Sequence, residues 1–141
     1  MEASGSASVL VVANRTAATP GLLDAVRARA AEGNARFTLL VPRSPHGLHR
    51  VVDPEDSGGG EADETLALAL PLMEEAAGGK VEGRVGDAEP LAAIQDAVNT
   101  GDYTEIILST LPATVSRWLN LDLPSKVSGL GLPLTTITAK G

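Results

Sequence analysis

Two kinds of apolar pattern alternate along the chain. Val9 to Ala13 (VLVVA) is a continuous run without polar alternation, the pattern of a strand buried on both faces of a parallel sheet. Arg36 to Val41 (RFTLLV) is a second such run, closed by Pro42, which has no amide proton with which to extend a ladder. Lys80 to Val85 (KVEGRV) is short and alternates weakly, as an outer strand does. Thr104 to Ser109 predicts another buried strand and Pro133 to Thr138 the last one.

Between these runs the apolar spacing becomes helical. Thr19 and Pro20 form an N-cap and first helical position, Leu22, Leu23, Val26 and Ala30 follow on one face, and Gly33-Asn34 signals the end. Glu61 to Ala77 places Leu66, Ala69, Leu70, Met73 and Ala77 together, with Gly78-Gly79 as the stop. Pro71 lies inside this helix, where a lost backbone bond and a ring clash cost about 3 kcal/mol, so a kink is expected there. Leu91, Ile94 and Val98 mark a third helix ending at Gly101, with Asp87 placed to cap it and Glu89 near its positive end. Val115 to Val127 holds either one helix interrupted at Pro124 or two turns joined by a bend.

The order β-α-β-α-β-α-β-α-β predicts a three-layer α/β fold, an open five-stranded parallel sheet with helices on both faces and right-handed crossovers. In such a sheet the ligand crevice lies outside the carboxyl ends of the strands where strand order reverses, so the residues after Leu108 are expected to enter it. Residues 1–7 are small and polar and are expected to be unstructured, leaving 8–141 as a single domain. Arg43 to Gly60 is a long polar loop rich in Pro, Gly, His and Asp.

Composition narrows the functions. The 141 residues contain no cysteine, which excludes disulfides, thiol catalysis and thiolate metal sites. Net charge is −7 and only three residues are aromatic, so the basic footprint and stacking platforms of nucleic-acid binding are missing. The N-terminus lacks a signal-peptide pattern, and no apolar run is long enough to span a membrane. The expectation is a cytoplasmic protein with no nucleic-acid or membrane partner. An acidic chain can still hold a phosphate locally, through backbone amides at a helix N-terminus.

Several stretches resemble the universal stress protein family in corresponding order. VLVVANRT is similar to that family's first strand, VGDAEP to its turn before the third helix, and EIILST through LPSKVSGLGLPLTTI to its nucleotide loop, fourth helix and closing strand. The resemblance implies a universal stress protein-like, adenine nucleotide α-hydrolase-like domain. It also implies an adenine nucleotide, ATP or AMP, as the ligand to test, and a homodimer formed through the C-terminal edge strand 132–139.

The family's nucleotide loop carries Gly-x-x-Gly and a later Gly-Ser or Gly-Thr, glycines that let the backbone wrap phosphates. Here those places read Ser109-Thr110-Leu111-Pro112 and Pro124-Ser125, and Asn14 stands where the family has an aspartate. Proline offers no amide proton and does not tolerate positive φ. ATP binding is therefore expected to be weakened or lost. The candidate ligand set is Asn14, Thr16, Ser109, Thr110 and Ser125, with Val41 at the end of the second strand and Arg15, Arg117 and Lys126 as phosphate partners. The competing account is that these Ser and Thr residues only cap and turn the chain.

His46 and His49, near Asp53, Glu55 and Asp56, have a metal-compatible composition but no ordered surroundings predicted, and solvated histidines are the expectation. No G-x-S-x-G motif occurs, so no catalytic residue is assigned. Trp118, Leu119, Leu121 and Leu123 are too apolar for a free loop and are expected either to fold back as core or to serve a ligand or partner. Two functions follow: a non-enzymatic binding module acting through dimer or partner contacts, or a small hydrolase or phosphatase using the 43–60 loop as a lid over Ser109 and Thr110.

Overall fold

The structure, a computed structural model, describes residues 7–14, 16–43, 59–111 and 117–138. Five strands, β1 (Ala7–Val12), β2 (Ala35–Pro42), β3 (Val81–Gly86), β4 (Glu105–Thr110) and β5 (Leu134–Thr138), form one sheet in the order β3-β2-β1-β4-β5. All pairings are parallel. The connections are α1 (Pro20–Ala31), α2 (Gly59–Ala77), α3 (Pro90–Thr100), and the short α4 (Arg117–Asn120) and α5 (Leu123–Ser128). The expected α/β architecture is the one found.

Strand periodicity sorts the core into two layers. Val9, Val11, Phe37, Leu39, Val41 and Ile107 pack with Leu22 and Val26 of α1 and with Ala69 and Met73 of α2. Leu10, Val12, Leu40, Ile106 and Leu108 pack with Ala93 and Ile94 of α3 and with Trp118, Leu123 and Val127 of α4 and α5. Burying each of these large aliphatic side chains contributes about 1.5–3 kcal/mol. Trp118 and Leu123 are thus core, while Leu121 is 38% exposed.

Local signals were partly displaced by their neighbours. β1 starts at Ala7, inside the segment expected to be unstructured, because its amide donates to Asn34 O at 2.7 Å and it pairs with Ala35. Pro42 is the last residue of β2, opposite Gly86, rather than lying beyond it. The N-cap of α3 is Glu89, whose carboxylate accepts from Leu91 N at 3.2 Å; Asp87 stands one step back and accepts from Glu89 N at 2.9 Å. Thr19 caps α1 by position without a side-chain cap bond, its hydroxyl donating to Thr16 O at 2.9 Å. Of the two arrangements open for 115–127, two helices form: Asp122 turns the chain in the left-handed region (φ 56°), and Pro124 sits in the first turn of α5, where its missing N–H is tolerated. The helix α2 runs through Pro71, which faces solvent.

Among the described residues one charged tie holds α1 to the sheet. Arg29 Nε and Nη2 donate to the two carboxylate oxygens of Glu105, both at 2.9 Å, joining the end of α1 to the start of β4. The hydrogen bond to Glu105 holds the Arg29 guanidinium above its ordinary range, against the opposing effect of burial.

Candidate functional site at the switch point

The chain leaves β1 toward β2 and β3 on one side, then crosses over to place β4 on the other. The carboxyl ends of β1 and β4 are therefore the point at which connections diverge, and a crevice there is a consequence of topology. Val12 pairs with Leu108, so the residues just beyond, Asn14 and Thr16 after β1 and Ser109 and Thr110 in β4, share this edge.

Strand alternation decides which of them meet. Ser109 lies two residues beyond Ile107 on the α1 face, and its hydroxyl donates to Thr16 Oγ1 at 2.7 Å across 93 positions of sequence. Both residues are buried, and among the described residues no acceptor receives the Thr16 hydroxyl proton. Thr110 points to the opposite face beside Thr138, the register partner that ends β5, with 3.5 Å between the hydroxyl oxygens. That spacing is long for two hydroxyls, whose usual separation is about 2.7–2.8 Å. The ends of β1, β4 and β5 thus gather four hydroxyl groups, two on each face of the sheet, with no charge among them.

Asn14 is half-buried at the rim, and its carbonyl accepts from Ala17 N at 3.1 Å in the turn that leads into α1. Val41 is core, packed in the α1–α2 layer. Ser125 and Lys126 are exposed on α5, which is anchored by Leu123 and Val127 in the opposite layer, so they do not join the Thr16–Ser109 pair. Arg117 opens α4, but its side chain lies outside the described residues, as do Arg15 and the loop bearing His46, His49, Asp53, Glu55 and Asp56. Among the described residues no group of three His, Asp or Glu side chains could hold a metal. No helix of the described residues is long and apolar enough to cross a membrane.

Two rim residues were missed in the sequence. Thr138 is recognised only once the β4–β5 register is known. Arg43, at the end of β2, donates from its amide (3.0 Å) and its guanidinium (3.3 Å) to Gly86 O, tying the ends of β2 and β3. Its position at the start of a polar loop carried no such signal.

No protein-family model matches the sequence and no curated relative is found. Solved structures do match. A universal stress protein from Archaeoglobus fulgidus superposes with a TM-score of 0.64 at 18% identity, covering 93% of each chain. A structure of the universal stress protein from that organism in complex with dAMP gives 0.57 at 18% identity, covering 96% of this chain and 98% of its own. A universal stress protein in complex with cAMP gives 0.63 at 14% identity, with the same two coverages of 96% and 98%. The chain has the universal stress protein fold over nearly its whole length.

Proposed function

We propose that this protein is a non-enzymatic binding module of the universal stress protein type, holding a small polar ligand of the adenine-nucleotide class where β1 and β4 diverge. The observation that carries the reading is the buried Thr16–Ser109 hydroxyl pair at that point, in a fold whose solved examples include complexes with cAMP and dAMP. Binding of ATP is weakened or lost. The sequence has no glycine between Gly101 and Gly129, and Leu111-Pro112 follows β4, so the turn lacks the backbone freedom and one of the amide protons that a phosphate cradle uses. In this reading Asn14 contacts the ligand, with Arg15 and Arg117 as phosphate partners, and the buried hydroxyls of Thr16, Ser109 and Thr110 shape the strand ends beneath it. A cytoplasmic location and a role in stress response follow from the same analogy.

The module acts as a homodimer through β5. The bond from Ile106 N to Pro133 O sets the ladder so that the backbone groups of Leu134, Thr136 and Thr138 are directed away from β4. Such an edge is complementary to a second copy of itself across a two-fold axis.

The test is to denature purified protein and look for a released adenine compound by ultraviolet spectrum and mass spectrometry, then to titrate with AMP, ADP and ATP. One tryptophan and one tyrosine leave the protein weakly absorbing, so adenine is easily seen. Saturable binding in which ATP is no tighter than AMP, weakened by Ser109→Ala, is the expected result. No response to any adenine nucleotide would remove the ligand assignment and leave the association surface alone to explain the protein.

A further inference from the structure

The two largest exposed apolar side chains among the described residues lie one turn apart on α2, away from the crevice: Leu68 is 74% exposed and Leu72 43%. Leu68 stands nearly free of the fold, and Leu72 is only partly covered by it. Ala62, Ala69, Met73 and Ala76 are the positions that α2 buries in the sheet layer, and Leu66 and Leu70 cover Gly83 of the outer strand. Leu68 and Leu72 stand on the other flank, with Ala67 and Pro71 also exposed.

The charge around them is of one sign. The helix contains Glu61, Asp63, Glu64, Glu74 and Glu75 and no basic residue. Glu74 has a use within the fold, accepting from Val81 N at 3.1 Å. Glu75 has none among the described residues and is exposed in the last turn, where the helix dipole disfavours an acid. The adjacent α1 supplies no unpaired cation, since Arg27 binds Asp24 at 2.8 Å and Arg29 binds Glu105 at 2.9 Å and Glu32 at 3.3 Å.

We infer that this face of α2 docks a basic amphipathic helix of another protein, with apolar residues at helical spacing seated on Leu68 and Leu72 and lysines or arginines meeting Glu64 and Glu75. A second copy of this chain is the wrong occupant. Antiparallel pairing of two α2 helices through the leucines sets Glu64 against Glu75, and parallel pairing sets each of these acids against itself. The inference stands apart from the nucleotide reading, because α2 contributes nothing to the Thr16–Ser109 pair.

The experiment titrates the full chain into a fluorescent amphipathic peptide made of leucine and lysine, leucines at helical spacing, and reads anisotropy. Two variants accompany it, Leu68→Ser with Leu72→Ser, and Glu64→Lys with Glu75→Lys; all four positions are exposed, Leu72 less than Leu68, and circular dichroism melts verify that each variant stays folded at the assay temperature. Binding weaker by about tenfold or more in both variants, and weaker for a control peptide with serine in place of leucine, is the expected outcome. Equal affinity of the leucine variant and the parent reduces the effect to charge attraction and overturns the inference, as does absence of binding to the parent. Self-association of the parent that disappears in the leucine variant, by sedimentation, also overturns it by making a second copy the occupant.

Discussion

The two edges of the sheet meet the same physical problem with different side chains. At one edge, β3 reads VEGRVG, with Glu82 and Arg84 along the strand, Lys80 just before it, and Leu66 and Leu70 of α2 lying over Gly83. At the other, β5 reads LTTIT, with Thr135, Thr136 and Thr138 exposed and no charge at all. Charged side chains on an edge discourage a second strand from pairing, and threonines do not. The contrast separates an edge protected against association from one that permits it.

That contrast can be broken from either side. The largest effect is expected at the close of the protected edge. A Cβ added at Gly86 would lie 2.8 Å from Ala93 Cβ and 2.9 Å from Leu40 Cδ1, and the alanine belongs to the rigid body of α3. Gly86→Ala should lower stability by about 1–3 kcal/mol in urea unfolding. Gly83→Ala meets only the tips of Leu66 and Leu70, at 2.9–3.0 Å, which can rotate away. It should cost less than about 1 kcal/mol. Equal losses at the two glycines would mean that α2 and α3 hold this edge with the same stiffness.

Next in size is the open edge. Thr135→Lys with Thr136→Lys gives β5 the charges that β3 has, and should raise the dissociation constant of the proposed β5 dimer by about tenfold or more in sedimentation, or about 1.4 kcal/mol. An unchanged constant would move the interface elsewhere. The support beneath this edge is tested by Glu105→Gln, which removes the bidentate tie between β4 and α1. Arg29 and Glu105 are each mostly buried, so the loss should be about 1–2 kcal/mol. Because the folded Arg29 has its pKa raised, the stabilisation it supplies is complete below the unfolded arginine value and is lost only as pH climbs through the folded one. Arg29 itself should therefore add no slope to stability between about pH 6 and pH 9. The smallest change in stability, within about 0.5 kcal/mol, is expected for Glu82→Thr with Arg84→Thr, which makes the protected edge resemble the open one. Its signature is a new higher oligomer in sedimentation.

The alternation of strand and helix was readable because each element carries its own local signal. Unbroken runs such as VLVVA cannot face water, and Thr19-Pro20 and Gly33-Asn34 mark ends by stereochemistry alone. Boundaries slipped where two residues compete for one role, as Asp87 and Glu89 do, and where a helix is too short to show a phase, as with the six residues of α5. Ser125 and Lys126 could not be placed for that reason. Val41 shows a different limit, since an apolar residue at a strand end reads the same whether it lines a ligand or a core. Thr16 and Ser109 could be nominated from topology, but that they bond to each other needs the crossover to be drawn, and Thr138 needs the register as well.

The central position of β1 also sets an order of events during synthesis. β1, β2 and β3 neighbour each other in sequence as well as in space, so Ala7 to Gly86 contains every strand on one side of the sheet before β4 exists. Until Glu105–Leu108 arrive, the other side of Val9–Val12 has no partner, although these are among the most apolar residues of the chain. A nascent chain stalled or truncated near residue 100 would present an open strand with no protective charge, the species most prone to aggregate. The β1–β4 seam is also the pairing with the longest intervening chain, Val9 to Glu105, so its closure carries the largest loop-entropy cost of the described strand pairs.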